Sequence, residues 1–158
     1  YKNIPNVFHN LFANNLGYTE GYATYAEFYA LNYLSDVPEN IRTLQKVMSI
    51  YSNCLIAQLD IGIHYEGWSL DQVRQYMEDN GLNAAAAEVL YAQLQSNPGA
   101  FLSYYVGYAE LNELEKEAKA ALGDKFTAMG FHQAILEAGS VQFDIVKRHV
   151  NQYIEENQ

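Results

Sequence analysis

Glu39-Asn-Ile-Arg-Thr-Leu-Gln-Lys-Val-Met-Ser-Ile-Tyr-Ser-Asn-Cys-Leu-Ile-Ala-Gln-Leu-Asp-Ile-Gly-Ile-His64 is the longest stretch of this sequence with no proline and no turn cluster. Within it, Leu44, Val47, Met48, Tyr51, Leu55, Gln58 and Leu59 recur at three- and four-residue steps. That is the period of an α-helix, so the stretch reads as one long helix with a broad stripe turned to a core. Ser35-Asp36-Val37-Pro38 bounds it upstream, because proline disfavours helical geometry at the residue before it. Outward from this segment the same period repeats and sustained alternation does not occur, which predicts an all-α fold of about seven helices.

Upstream, a helix is predicted from about Thr19 to Leu34, opening with Glu20 on its first turn and carrying Glu27 two turns on along the same face. An acid at a helix start complements the helix dipole, so the residues alone give Glu20 as a solvated N-terminal carboxylate. Tyr18, Tyr22, Tyr25, Tyr29 and Tyr33 share helical spacing and predict packing at the edge of a core with hydroxyls reaching water. Before them, Asn14-Asn15 and Gly17 suggest a loop over the first eighteen residues.

Downstream, Ser69 with Gln72 forms a capping box and Gly81 a C-terminal stop, which defines a short helix. Asn83 can cap the next, from Ala84 to about Gln95, broken at Asn97-Pro98-Gly99. Pro98 suits the first turn of a long helix reaching about Leu122. Its second half has Glu and Lys at four-residue spacing, including Glu115 with Lys119, and reads as a solvated face. Helices from about Thr127 to Ala138 and from about Val141 to Glu156 complete a single domain over residues 1–158, with no repeat and no long linker.

Composition narrows the function classes. The 158 residues are 49% hydrophobic and 18% charged, as in an ordered globular domain. Nine basic residues in a chain of net charge -10 do not supply the clustered cations that nucleic acid or an anionic membrane surface requires. No signal peptide and no apolar run approaching a membrane span is present, so the chain reads as soluble. One cysteine, Cys54, excludes an internal disulfide and reads as a small buried hydrophobe beside Leu55 and Ile56. There is no glycine-rich phosphate loop, nucleophile elbow or Cys/His pair.

Asp60 and His64 lie four residues apart on one helix face, a spacing that permits either a carboxylate-oriented imidazole or a surface pair. Tyr104 and Tyr105, read as residues alone, pack. His132, between Phe131 and Ile135, suits a substrate contact or a packing histidine equally.

Four segments together resemble a known family. Glu20-Gly21-Tyr22-Ala23-Thr24-Tyr25-Ala26-Glu27 is similar to the Glu-Gly-Trp-Ala-x-Tyr-x-Glu signature of the bacterial domain-of-unknown-function 885 family. Asp60-Ile61-Gly62-Ile63-His64 with Gly67-Trp68-Ser69 resembles its Asp-x-Gly-x-His and Gly-Trp-Ser segment. Pro98-Gly99 through Ser103-Tyr104 to Gly107 resembles its Pro-Gly-x-x-x-Ser-Tyr-x-x-Gly segment, and Phe131-His132 with Leu136 and Gly139 its closing element. Gln142-Phe143 departs from the family's usual Pro-Leu.

The resemblance implies the helical C-terminal part of a zincin-like peptidase domain, related to HExxH-type gluzincins. In that reading Glu20 is the third zinc ligand. His64 and Tyr104 hold substrate or stabilise the oxyanion, Glu27 and Asp60 support the site, and His132 meets substrate, with Glu20, His64 and Tyr104 converging on one face. The metal-binding helix, a His-Glu element with a second His, is absent from the sequence; the nearest histidine, His9, is followed by Asn10, whose amide cannot serve as a base. The expectation is therefore a zinc-dependent peptidase in the complete protein, with peptide as substrate, and a metal-free, inactive chain over these residues alone. The apolar surface left by the missing helix would be exposed or would support a homo-oligomer. A bacterial cell-envelope or exported location is implied by the same resemblance. The alternative is a non-catalytic helical binding or structural module that keeps the fold.

Overall fold

The computed structural model describes residues 14–158. Among them are seven α-helices and no strand: α1 (Leu16–Ala30), α2 (Glu39–His64), α3 (Leu70–Asp79), α4 (Ala87–Ser96), α5 (Leu102–Leu122), α6 (Ala128–Ala138) and α7 (Phe143–Asn157). Short 3-10 turns follow α1 and α5 and precede α4. The all-α expectation holds. His9 and most of the loop expected at the start of the chain lie outside the described residues.

The helix caps account for most boundaries. Ser69 Oγ accepts from the Gln72 backbone N–H while Gln72 Oε1 accepts from Ser69 N–H, closing the capping box of α3. Thr127 Oγ1 accepts from Gly130 N–H at the start of α6. Gly81 and Gly139 take positive φ of 70° and 74° at the ends of α3 and α6, a region that a side chain disfavours.

Two boundaries differ from expectation. α1 begins at Leu16, because Asn15 Oδ1 accepts from Tyr18 N–H and caps it there. Glu20 therefore stands on the second turn, beyond the closest reach of the helix dipole. Pro98 does not open α5: Gly99 has φ +76° and Ala100 N–H donates to Asn97 C=O, so residues 97–101 form a turn ahead of Leu102.

The chain forms two compact units, Glu27–Tyr105 and the remainder, with both boundaries inside helices, α1 and α5. In Glu27–Tyr105 the core is Leu59 and Ile63 of α2, Val73 and Met77 of α3, and Ala87 and Leu94 of α4, with Trp68 and Phe101 packed against it. The predicted stripe of α2 is only half right. Leu55 and Leu59 are buried, whereas Leu44, Val47, Met48 and Tyr51 are exposed. The N-terminal half of α2 instead turns Arg42 and Lys46 inward: Arg42 Nη1 donates to the carbonyls of Leu31 and Asn32, and Lys46 Nζ lies 5.7 Å over the Phe28 ring.

In the other unit, α6 packs on α7, with Phe131, Ile135, Val146 and Val150 fully buried. Tyr153 Oη accepts from Thr127 N–H and donates to its C=O, tying the end of α7 to the start of α6. Tyr18 and Tyr25 are drier than predicted, while the paired hydroxyls of Tyr29 and Tyr33 are exposed as expected. Tyr18 Oη donates to Ile135 C=O at 2.7 Å, and Tyr25 Oη is 3.2 Å from His132 Nε2. Glu115 is also less solvated than its spacing suggested, its side chain only 13% exposed beside Lys119 at 3.0 Å. Cys54 is half-buried.

α1 and α5 approach closely at Gly21 and Gly107. A Cβ on Gly21 would fall on the Gly107 backbone, and one on Gly107 would fall on the carbonyl of Gly17. Alanine gains roughly 1 kcal/mol of helix propensity over glycine. Forcing two backbones apart costs about 1–3 kcal/mol, and no rotamer change relieves it. Gly21→Ala and Gly107→Ala should each be net destabilising, read as a lower urea midpoint with an unchanged slope.

Candidate functional site

The Asp60-x-Gly62-x-His64 segment closes α2 and uses both sides of the helix. Asp60 is 1% exposed, and its Oδ1 accepts from the backbone N–H of Gly99 at 3.1 Å. His64, one turn on along the same face, sets Nε2 3.0 Å from Leu94 C=O and 3.5 Å from Asp60 Oδ1. Both neighbours are acceptors, so Nε2 carries the hydrogen. In the neutral ring the lone pair then sits on Nδ1, and the side chain is 28% exposed. The tautomer is thus fixed first by the Leu94 carbonyl, with Asp60 the longer contact. Gly62 is the seat of the Trp68 indole, into which any Cβ there would project, and Gly62 C=O accepts from Trp68 N–H at 2.9 Å.

Asp60 Oδ2 is buried with no hydrogen-bond partner among the described residues. The turn that Asp60 grips continues into Ser103, whose Oγ donates to Ala100 C=O, and then into Tyr104 on the first turn of α5. Tyr104 is 37% exposed, and its ring stacks on Phe101 at 6.3 Å. The structure therefore joins Asp60 and His64 directly and connects them through the 97–101 turn to the segment bearing Tyr104.

Glu20 lies partly exposed on α1, with no ion pair or hydrogen bond to its carboxylate among the described residues, while its backbone C=O accepts from Thr24 Oγ1 at 2.9 Å. Glu27 is exposed. Among the described residues no group of three or more His, Cys, Asp and Glu side chains could hold a metal ion. Glu20 by itself does not fit a zinc centre, which takes three protein ligands when catalytic.

His132 belongs to a separate cluster. Its ring meets Tyr25 edge-on at 5.8 Å and Phe131 at 6.0 Å, and burial pushes its pKa below the ordinary imidazole value, against the opposing pull of Glu115. Tyr25, Gly62 and the Leu94 carbonyl are the participants that candidate-residue reasoning missed. Tyr25 and Gly62 stood inside the motifs, and a backbone carbonyl has no sequence signal.

Two outcomes test this geometry. Asp60→Ala leaves the Gly99 N–H unpaired and should cost about 1–3 kcal/mol in urea denaturation, and Asp60→Asn, which keeps an acceptor, should cost less. His132 has a depressed folded pKa, so the unfolded chain takes up its proton first as pH falls. The contribution of neutral His132 is complete above its unfolded value of 6.5 and is lost on acidification below it. His132→Gln should therefore flatten the fall in melting temperature between about pH 7 and pH 5.

No helix among the described residues is long and apolar enough to cross a membrane. No curated protein matches the chain in sequence. Its structure is similar to the crystal structure of the "putative lipoprotein from Colwellia psychrerythraea", with a TM-score of 0.78 and 27% identity over 89% of this chain. The chain spans 24% of the length of that protein. Residues 1–150 match the family described as "Bacterial protein of unknown function (DUF885)", and the chain belongs to that family.

Proposed function

We propose that this chain is the substrate-holding helical part of a zinc-dependent peptidase whose activity belongs to a longer protein. The observation that carries the reading is the Asp60–His64 pair. A buried carboxylate and a carbonyl hold the imidazole in one tautomer, leaving a lone pair on Nδ1 of a partly exposed side chain. Such a nitrogen can accept a proton or a peptide N–H, and a phenol such as Tyr104 can donate to the oxygen that gains charge as a carbonyl is attacked.

In this reading Glu20 supplies one metal ligand. The residues of this chain do not complete a zinc site, so two histidines and a base would come from elsewhere in the intact polypeptide, and zinc would supply an activated water there. Asp60 positions His64, Glu27 supports Glu20, and His132 contacts peptide. An extracytoplasmic, cell-envelope location is part of the proposal and is supported by the likeness to a lipoprotein. The second reading is a non-catalytic helical module, favoured by the lack of a three-ligand group among the described residues.

The test uses the intact natural polypeptide with a peptide library as substrate. Tyr104→Phe should lower kcat roughly a hundredfold with little change in KM, as removal of an oxyanion donor does. Glu20→Gln should weaken zinc binding in calorimetry of that protein. Tight stoichiometric zinc binding by the 158-residue chain, abolished by Glu20→Gln, would show that the ligands are misassigned. Hydrolysis absent from the intact protein in the presence of zinc would leave the binding module.

A further inference from the structure

Tyr25 of α1 is only 4% exposed, yet it carries a polar atom into the interior. Its Oη stands 3.2 Å from Nε2 of His132 on α6, and the two rings meet edge-on at 5.8 Å and 83°. Phe131, fully buried, packs on both rings, 6.2 Å from that of Tyr25 and 6.0 Å from that of His132. Tyr22 stacks on Tyr25 at 6.5 Å.

We propose that Tyr25 is a positioning residue for His132, its hydroxyl selecting the imidazole tautomer with which His132 meets peptide. The inference rests on the reading of His132 as a peptide contact and deepens it. Three observations support it.

The first is that the Tyr25 hydroxyl is not needed to dock the two helices. Two turns before Tyr25 on α1, Tyr18 Oη donates to Ile135 C=O at 2.7 Å in a buried bond. That bond and the Tyr25–Phe131 ring contact tie α1 to α6 already. A phenylalanine at position 25 would keep the ring contacts without taking a polar group out of water. What the oxygen adds here is a hydrogen bond to the imidazole.

The second is the state of the ring. Burial pushes the His132 pKa below the ordinary imidazole value, while Glu115 of α5, paired with Lys119 at 3.0 Å, pulls it the other way. The ring is therefore neutral at neutral pH, with one N–H and one lone pair. Its two nitrogens have opposite hydrogen-bonding character, so a peptide N–H or C=O is met only when the matching nitrogen is presented. A hydroxyl bonded to Nε2 dictates the character of Nδ1 as well.

The third is access. His132 is half-buried, whereas Tyr25 is buried. The imidazole keeps contact with solvent and Tyr25 does not, so Tyr25 acts through His132 and not on substrate.

The test labels histidine with nitrogen-15 in the intact natural polypeptide and reads the ring shifts of His132, assigned by their loss in His132→Gln. At about pH 8, above the ordinary imidazole value, a single neutral tautomer is expected, and Tyr25→Phe should turn it into a mixture. Against a peptide that the intact protein cleaves, Tyr25→Phe should raise KM roughly three- to tenfold with kcat little changed, the mark of a lost ground-state contact. Adding Tyr25→Phe to His132→Gln should raise KM no further, since the hydroxyl works through the imidazole. Tyr18→Phe is the structural control: it should lower the urea midpoint and leave both the tautomer and KM as they were. An unchanged tautomer in Tyr25→Phe overturns the proposal, as does an unchanged KM. So does a KM effect that adds in full to that of His132→Gln, or one that Tyr18→Phe reproduces. An intact protein that hydrolyses no peptide removes the peptidase reading instead, and the tautomer of Tyr25→Phe then still decides whether the hydroxyl governs the imidazole.

Discussion

The hydrogen bond from the Gly99 N–H to the buried carboxylate of Asp60 is the contact on which the Glu27–Tyr105 unit depends. Asp60 stands near the end of α2, and Gly99 in the turn between α4 and α5, 39 residues away. One oxygen thereby ties the turn between α4 and α5 to the end of α2. His64 adds a second strut to the same region through Leu94 C=O, and Trp68, seated on Gly62, closes the opposite side. A carboxylate is an expensive group to bury, and hydrogen bonds to its charged form offset that cost. The Gly99 N–H offsets part of that cost at Oδ1.

The helices were largely legible because their ends are written in side chains. Ser69 with Gln72 and Gly81 act through a side chain or a positive φ, and each marks its boundary where the sequence put it, whereas Asn83 caps a 3-10 turn three residues ahead of α4. The failures come where one signal has two physical outcomes. Asn15 could belong to a loop or cap a helix, and its side chain caps Tyr18 N–H. Proline suits both a first helical turn and a tight turn, and the positive φ of Gly99 decides for the latter. The period of α2 correctly identified an apolar face, but period carries no information about what covers it. Leu55 and Leu59 found a core within the chain, and Leu44 and Met48 did not.

The site was legible as pairs and not as constellations. The four-residue step from Asp60 to His64 foretold their proximity, since helix geometry sets it. That the imidazole is held more closely by Leu94 C=O could not be foreseen, because every residue has a carbonyl. Glu20 and Tyr104 owe their candidacy to motifs, which name residues without giving distances. His132 had two readings in sequence, and its ring contacts with Tyr25 and Phe131 orient the imidazole in either.

The chain order of the two units also sets when each can be completed during synthesis. Glu27–Tyr105 is contiguous, and its struts span at most a few dozen residues, so it can close as soon as α5 starts to emerge from the ribosome. The other unit joins α1 to residues made more than a hundred positions later: Tyr18 to Ile135, Asn15 and Thr19 to Ser140. Closing loops of that length is slow. Tyr18 of α1 is thus translated ahead of its partner Ile135 and sheltered only once that residue has been made.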